Sequence, residues 1–489
     1  MINLNKENKD IIGTIFLALS IVMLGFMLVS PFNQMIIHVD EYFTVSVLNF
    51  PITELAYVIT HDVHPPLHYL LLKVVSDILT FLGIEFDKIF IYKIVSIVPY
   101  AIILILSATK IKKEYGYLTA GLFAFSLAVM SEFLVYYSII RMYSWALLFV
   151  ILAFIYLKDV LDKNDKKSWA LLTIFSVLAA YSHYFAAIPI VCIYASLLVY
   201  LFMNDKQKLK YWLISVIAGI ILYVPWIISL MSQLSFVSEG YWIPEITVKN
   251  LIGFLGYFVT SSRNLYTCMF SIVILAVLII YSARQFKDAD KKDKFYLLCG
   301  IIAYFGTIVI GSTISIARPI LVDRYLLPSA GVLWFAISVM LSKIDSQKEF
   351  LITFALILLL LAAGISQISS SNDFWATNNA NKEAFFNQIS QDNNSIVINN
   401  PRNTMFYMEY ANSTEMYVLD KPHTLYGYDL SELHDTFNFK EISKGNISKL
   451  VKDNPDKNIY IIYKDPKFDK IKTEPIIKTR NVNFLRVVN

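Results

Sequence analysis

The stretch Ile11-Ile-Gly-Thr-Ile-Phe-Leu-Ala-Leu-Ser-Ile-Val-Met-Leu-Gly-Phe-Met-Leu-Val29 carries no charged side chain. Its length matches the roughly 20 apolar residues that take a helix across a hydrocarbon core. Other apolar blocks recur at Ile89–Ala108, where Lys93 is the one charge, and at Tyr211–Leu230 and Phe350–Gly364. Over 489 residues, 56% are hydrophobic and only 16% charged. A soluble core draws its apolar residues from short periodic patches, so blocks this long and this numerous imply a bilayer as solvent. The first block is long and is not followed by a small-residue cleavage site, which makes it a retained span and not a signal peptide.

The net charge of +4 matters less than where the charge sits. Basic clusters fall in short loops: Lys110, Lys112 and Lys113; Lys163, Lys166 and Lys167; Lys206, Lys208 and Lys210; and the run from Arg284 to Lys294. The positive-inside rule puts these loops in the cytoplasm, with the N-terminus at Lys6 and Lys9. The loop from Pro31 to Pro66 has no Lys or Arg and reads as external. An odd number of crossings must then join Pro66 to Lys110. Leu67–Leu82, short and bearing His68, Lys73 and Asp77, is expected to lie in the outer interface, leaving Ile89–Ala108 to cross. About eleven spans follow by this rule, with the C-terminus outside. The host membrane is expected to be the plasma membrane, since no retention or organelle signal is visible. Cys192, Cys268 and Cys299 lie inside apolar blocks without metal or redox spacing and read as small core residues.

Residues 1–368 are thus expected to form the membrane domain. From 369 onward the chain turns polar, with 15 Lys and Arg against 15 Asp and Glu. A small external α/β domain is expected over 369–489, with a helix at Lys382–Ser390 and strands at Ser395–Asn399, Met416–Leu419, Asn458–Tyr463 and Asn483–Val488. Sequons at Asn393, Asn412 and Asn446 suit an external domain.

Four polar places collect on the outer side, and chemistry is expected there. In His38-Val-Asp-Glu-Tyr-Phe, the pair Asp40 and Glu41 follows apolar sequence, where a carboxylate could take a proton from an acceptor hydroxyl. The alternative is a solvated pair of loop acids. His61-Asp-Val-His64-Pro-Pro-Leu-His68 concentrates histidine, but the prolines prevent His64 and His68 from sharing a helical face in the i, i+4 manner. Those prolines read as the start of the interfacial helix. Arg141, Arg318 and Arg324 stand at outer helix ends, where a planar guanidinium can grip two phosphate oxygens or merely snorkel to the interface. His183 ends a span among aromatics, as substrate contact or as part of an aromatic belt. Trp242 could stack on a sugar or anchor the interface.

Together these pieces resemble the membrane glycosyltransferases of family 39, the protein O-mannosyltransferase-like group of the GT-C class. The matching runs are Asp40-Glu41, Asp62-Val-His-Pro-Pro-Leu67, Arg141-Met-Tyr-Ser144, His183-Tyr-Phe185 and Arg324-Tyr-Leu-Leu-Pro328. The resemblance implies a GT-C-like helical bundle, a polyprenyl or dolichyl phosphate sugar as donor, inversion at the anomeric carbon, and Asp40 as base with Glu41 beside it. It implies substrate contacts at His64, Arg141, His183, Tyr184, Arg324 and Tyr325, with Arg318 added on the phosphate argument. Metal independence is implied too; no cofactor is expected, while the residues alone leave a divalent metal open. Lipid-directed members carry an acid just before the position of Arg141, where this chain has Ile139 and Ile140. The C-terminal segment does not resemble the β-trefoil of the protein-directed members.

The function expected is transfer of a sugar, with mannose the family's example, from lipid phosphate to an outer-face hydroxyl on a glycan, lipid or protein. A phosphate leaving group needs cations, and no phosphate-cradling glycine loop is present. Membrane lipids are the other expected partners, and no nucleic acid is. A transporter or flippase of lipid-linked sugar is the alternative, although no internal repeat is evident. A membrane scaffold would leave the acidic loop and the arginines unexplained.

Overall fold

The structure is a computed structural model. It describes residues 5–33, 39–239, 243–259, 264–390, 392, 394–399, 415–419, 439–463, 471–478 and 483–488. Trp242, Asn393 and Asn412 lie outside the described residues.

Helices come first in the chain: α1 (Lys6–Asn33), α2 (Val39–Val47), α3 (Ile52–His61), α4 (Leu67–Phe81) and α5 (Lys88–Leu106). A π-helical turn at Ser107–Ile111 carries α5 into α6 (Lys112–Tyr115). Then follow α7 (Tyr117–Val129), α8 (Ser131–Tyr136), α9 (Tyr143–Asp162), α10 (Lys166–Ser182), α11 (Tyr184–Asn204) and α12 (Leu209–Glu239). The series ends with α13 (Val248–Gly256), α14 (Leu265–Arg284), α15 (Lys291–Ala317), α16 (Leu327–Leu341) and α17 (Gln347–Ser390).

Among the described residues, nine helical segments are long and apolar enough to cross a membrane. That is fewer than the eleven expected: α10 has 17 residues, and α7, with 13, is a shorter apolar helix. The helix α4, with 15 residues, also falls below that length. Its start follows from sequence: Pro66 occupies the N-cap position, and a proline there loses no intrahelical hydrogen bond.

The chain divides into two compact units, one of Met1–Met35 with His64–Ser371 and one of Ile36–Val63 with Asn372–Asn489. In the first unit, α9 and α16 are apolar all round and buried along nearly their whole length, as helices at the centre of a bundle must be. Aspartates cap two of the helices that start at the basic loops: Asp165 accepts from Ser168 N at α10, and Asp290 from Asp293 N at α15. The basic clusters themselves are paired, with Lys110 holding Glu114 and Asp159 at 2.6 and 2.8 Å.

In the second unit a six-stranded sheet has the order β3-β2-β1-β4-β6-β5, formed by β1 (Ser395–Asn399), β2 (Glu415–Leu419), β3 (Phe439–Ile442), β4 (Asn458–Tyr463), β5 (Lys472–Lys478) and β6 (Asn483–Val488). The first four strands are parallel, with Val397 opposite Met416 and Ile396 opposite Ile459; β6 and β5 run antiparallel beyond β4. Ile396, Ile398, Leu419, Ile459, Ile461 and Leu485 form its core, joined by Ile447 of α18 (Ile447–Asp453). A small α/β unit was expected and is found. Two strands, β3 and β5, escaped the sequence reading because Lys, Glu and Pro interrupt their apolar pattern. The expected separate helix at Lys382–Ser390 is instead the end of the 44-residue α17.

Candidate functional site

Three connections of the first unit meet in space: the turn between α8 and α9, the single residue between α10 and α11, and the segment between α15 and α16. Each supplies a residue singled out from sequence.

Arg141 lies in the tight turn before α9, where its N–H donates to the Ile139 carbonyl at 2.6 Å. Its side chain is 4% exposed. Nη1 donates to the Tyr69 hydroxyl at 3.1 Å, and Nη2 lies 3.1 and 3.2 Å from the two ring nitrogens of His64. Because a guanidinium only donates, His64 must present an unprotonated nitrogen to it. The rigid Pro65-Pro66 pair and the start of α4 set His64 and Tyr69 on the two tips of the same fork.

His183 is the N-cap of α11. Its Nδ1 accepts from the Phe185 N–H at 3.0 Å, so the proton of the neutral ring sits on Nε2. Nε2 is buried and has no hydrogen-bond partner in the protein. Burial, then the charges of His64, Arg141 and Arg324, hold this imidazole well below its usual pKa. His68, buried in the first turn of α4, is pushed down to about 3 by burial first and by Arg141 next. Both rings are therefore neutral at physiological pH.

Arg324, in a short 3-10 turn before α16, donates from Nε to the Tyr143 hydroxyl at 2.8 Å, and its guanidinium lies 5.6 Å from the Tyr325 ring centre. Tyr325 packs on His183 with ring centres 4.6 Å apart, and Tyr143 lies 5.7 Å from the same ring. His64 closes the circuit at 5.8 Å from His183. Arg141, His64, His183, Tyr325 and Arg324 thus form one continuous cluster. Tyr143 accepts from Arg324 and keeps its own O–H to donate onward. The cluster presents N–H and O–H donors and cationic charge, which is the chemistry of a site for an acceptor-only anion such as a phosphate.

Tyr184 and Arg318 are not brought into this cluster. Tyr184 follows His183 by one helical position and so faces elsewhere: its hydroxyl meets Gln233 and Trp226 of α12. Arg318 caps α15 with its side chain exposed. Asp40 and Glu41 lie in the first turn of α2, Asp40 half-buried and Glu41 buried. Asp62, at the C-terminal cap of α3, is 2% exposed. Among the described residues, no three His, Cys, Asp or Glu side chains form a group that could hold a metal.

Sequence reading gave no role to Tyr69, or to Tyr143 within its Arg141–Ser144 run, the hydroxyl partners of the two arginines. Aromatic residues near a membrane surface give no separate signal, since they also populate interfacial belts.

No protein-family model and no curated protein sequence matches the chain. Solved structures do resemble it. Over 97% of both chains it superposes on ArnT from Cupriavidus metallidurans in the apo state, with a TM-score of 0.63 at 11% identity. The same protein bound to undecaprenyl phosphate gives a TM-score of 0.62 at 12% identity, again over 97% of both chains. The chain shares the fold of these ArnT structures, and the likeness does not single out family 39.

Proposed function

We propose that the protein is a membrane glycosyltransferase that moves a sugar from a polyprenyl phosphate to a hydroxyl acceptor on the outer face of the membrane. The observation that carries this reading is the donor cluster of buried Arg141, Tyr143 and His183 with half-buried Arg324, which suits the phosphate of the carrier lipid. The likeness to ArnT, of which one structure holds undecaprenyl phosphate, supports a lipid-phosphate ligand of the same class. The sugar and acceptor are finer matters; mannose, which the family 39 resemblance implies, is the first sugar to try.

In the reaction proposed, the acceptor oxygen attacks the anomeric carbon while Asp40 takes its proton. The bond from that carbon to the phosphate oxygen breaks, its electron pair goes to the phosphate, and the configuration inverts. Polyprenyl phosphate then leaves with one more negative charge than it carried as the sugar ester. A site made of fixed donors stabilises that gain without reorganising. Neutral histidines contribute N–H dipoles and withhold no proton from the base.

Purified protein would be offered labelled sugars on polyprenyl phosphate, with and without chelator, and wild type compared with Asp40→Asn. Chelator-resistant release that falls by about 10²–10⁴-fold in the variant is expected of a general base. Equal turnover in the variant would remove that role from Asp40, and no turnover with any donor would overturn the transferase reading.

A further inference from the structure

The stretch Lys6-Glu-Asn-Lys-Asp10 sets four charged residues directly before Ile11, where the uncharged run of α1 begins. On that helix Glu7, Asp10, Ile11, Thr14 and Ile15 are spaced i, i+3, i+4, i+7 and i+8, so they share one face. The face carries charge at one end and hydrocarbon at the other. Beside it stands Tyr117, the first residue of α7. The crossing of α1 and α7 brings it there, since a Cβ on Gly13 would meet the Tyr117 carbonyl at 2.3 Å. Those five residues, with Lys6 and Tyr117, line a groove of about 680 Å³. That volume falls within the range of small-molecule sites, roughly 300–1,000 Å³.

The apolar part of the groove is not covered by the protein: Ile11, Ile15 and Tyr117 are 51, 53 and 38% exposed. Its charges are not neutralised either. Lys9, which is not part of the lining, holds Asp345 at 2.8 Å. Among the described residues, Lys6, Glu7 and Asp10 have no ion-pair partner. Nor has Lys112, whose ammonium stands at the rim, 5.1 Å from the centre of the Tyr117 ring. The helix dipole accounts for Glu7 in the first turn. It does not account for Asp10, a turn further in and next to hydrocarbon.

We infer that this groove binds an amine-bearing phospholipid, of the phosphatidylethanolamine kind, in the leaflet at the basic-loop end of the bundle. The order of residues along the groove matches the order of groups along such a lipid. Ile11 and Ile15 lie where acyl chains begin, and Lys6, Glu7 and Asp10 lie at headgroup level. A protonated ethanolamine donates three N–H groups, which the two carboxylates accept, while the adjoining phosphate takes Lys6 and Lys112. The presence of both signs decides between headgroups. An anionic lipid would satisfy the lysines alone and set its phosphate against Glu7 and Asp10. A choline headgroup offers the carboxylates no N–H. The groove would hold its lipid whether or not the protein is a transferase.

The test uses the whole protein in detergent, titrated with phosphatidylethanolamine, phosphatidylcholine and phosphatidylglycerol of the same acyl chains and read by native mass spectrometry. Wild type is expected to hold phosphatidylethanolamine about ten-fold more tightly than either other lipid, as for one charge-assisted hydrogen bond. In the double variant Glu7→Gln with Asp10→Asn, the three affinities should come within about two-fold of one another. Both side chains bond nothing in the protein, so the melting temperature of that variant without lipid should match that of wild type. No preference in wild type, or a preference there for phosphatidylglycerol as expected of a plain basic surface, overturns the inference. A preference for phosphatidylethanolamine that survives in the variant also overturns it, by placing the lipid elsewhere. A lowered melting temperature does so too, by making the two acids structural.

Discussion

Arg324 and Tyr143 are 181 residues apart in sequence, and Nε of the arginine donates to the hydroxyl of the tyrosine at 2.8 Å. The bond joins the start of α16 to the start of α9, the two most buried of the candidate spans among the described residues. It also fixes the direction in which the guanidinium fork points. In Tyr143→Phe the ring would still pack on Tyr136 and His183, and only the acceptor would be gone. Affinity for polyprenyl phosphate should fall about ten-fold, near 1.5 kcal/mol for a hydrogen bond to a charged group, with little change in thermal stability. An unchanged affinity in a direct lipid-binding titration would show that Arg324 needs no such guide.

Arg141 makes a different demand, because its two terminal nitrogens serve two partners. Lysine in its place keeps the charge but offers a single ammonium, which cannot reach both Tyr69 and His64 in the planar geometry seen here. Arg141→Lys should therefore behave as a loss-of-function variant, with turnover per unit of donor reduced about 10²-fold, as when two charge-assisted hydrogen bonds are lost. Steady-state kinetics on the labelled donor would decide this; near-normal turnover would mean that charge alone suffices.

How far the sequence revealed this site depends on which residue is asked about. Arg141, His183 and Arg324 were legible because a charged or titratable side chain at the end of an apolar block is rare enough to need a reason. Their grouping was legible only as a shared side of the membrane. What could not be read was which neighbour each one meets, since Tyr69, Tyr143 and Tyr325 come from three separate helices brought together by packing. Tyr184 shows the limit from the other direction: it sits in a conspicuous His-Tyr-Phe run, yet one helical step turns it towards Gln233. The apolar blocks specified the helices well because length and hydropathy alone decide a span, whereas the short strands β3 and β5 depend on neighbours that supply their pairing.

The neutral histidines give the fold a pH dependence with a definite sign. His68 has a pKa near the ordinary 6.5 when unfolded and about 3 when folded. Below pH 6.5 the unfolded chain therefore binds a proton that the folded chain refuses. The stabilisation is complete above that pH and shrinks as the pH falls towards 3, by up to about 1.4 kcal/mol per unit for this residue. His183, also lowered, adds in the same direction. The melting temperature in detergent should drop between pH 7 and pH 5, and the drop should be smaller in His68→Asn. Parallel pH profiles for the two proteins would assign the effect to other groups.

The last expectation concerns the bundle and not its chemistry. Helices α1 and α7 approach so closely that a Cβ on Gly121 would stand 2.2 Å from the Gly13 carbonyl oxygen and 2.9 Å from the Phe16 Cβ. A Cβ on Gly13 would meet the Tyr117 backbone at 2.3 Å. Backbone atoms cannot swing aside as a side-chain tip can, so the two helices would have to separate. Small residues at such a crossing matter more in lipid than in water, because no hydrophobic force presses the helices together there and close packing must hold them. Gly121→Ala should lower stability by about 1–3 kcal/mol, the range for overpacking a tight contact. Gly219→Ala is the control: its nearest neighbours are methyl groups at 3.8 and 3.9 Å, ordinary contact distances. Thermal unfolding of both variants in detergent tests the pair. Equal melting temperatures would mean that α1 and α7 part without loss, and that the crossing is not what holds the first span in place.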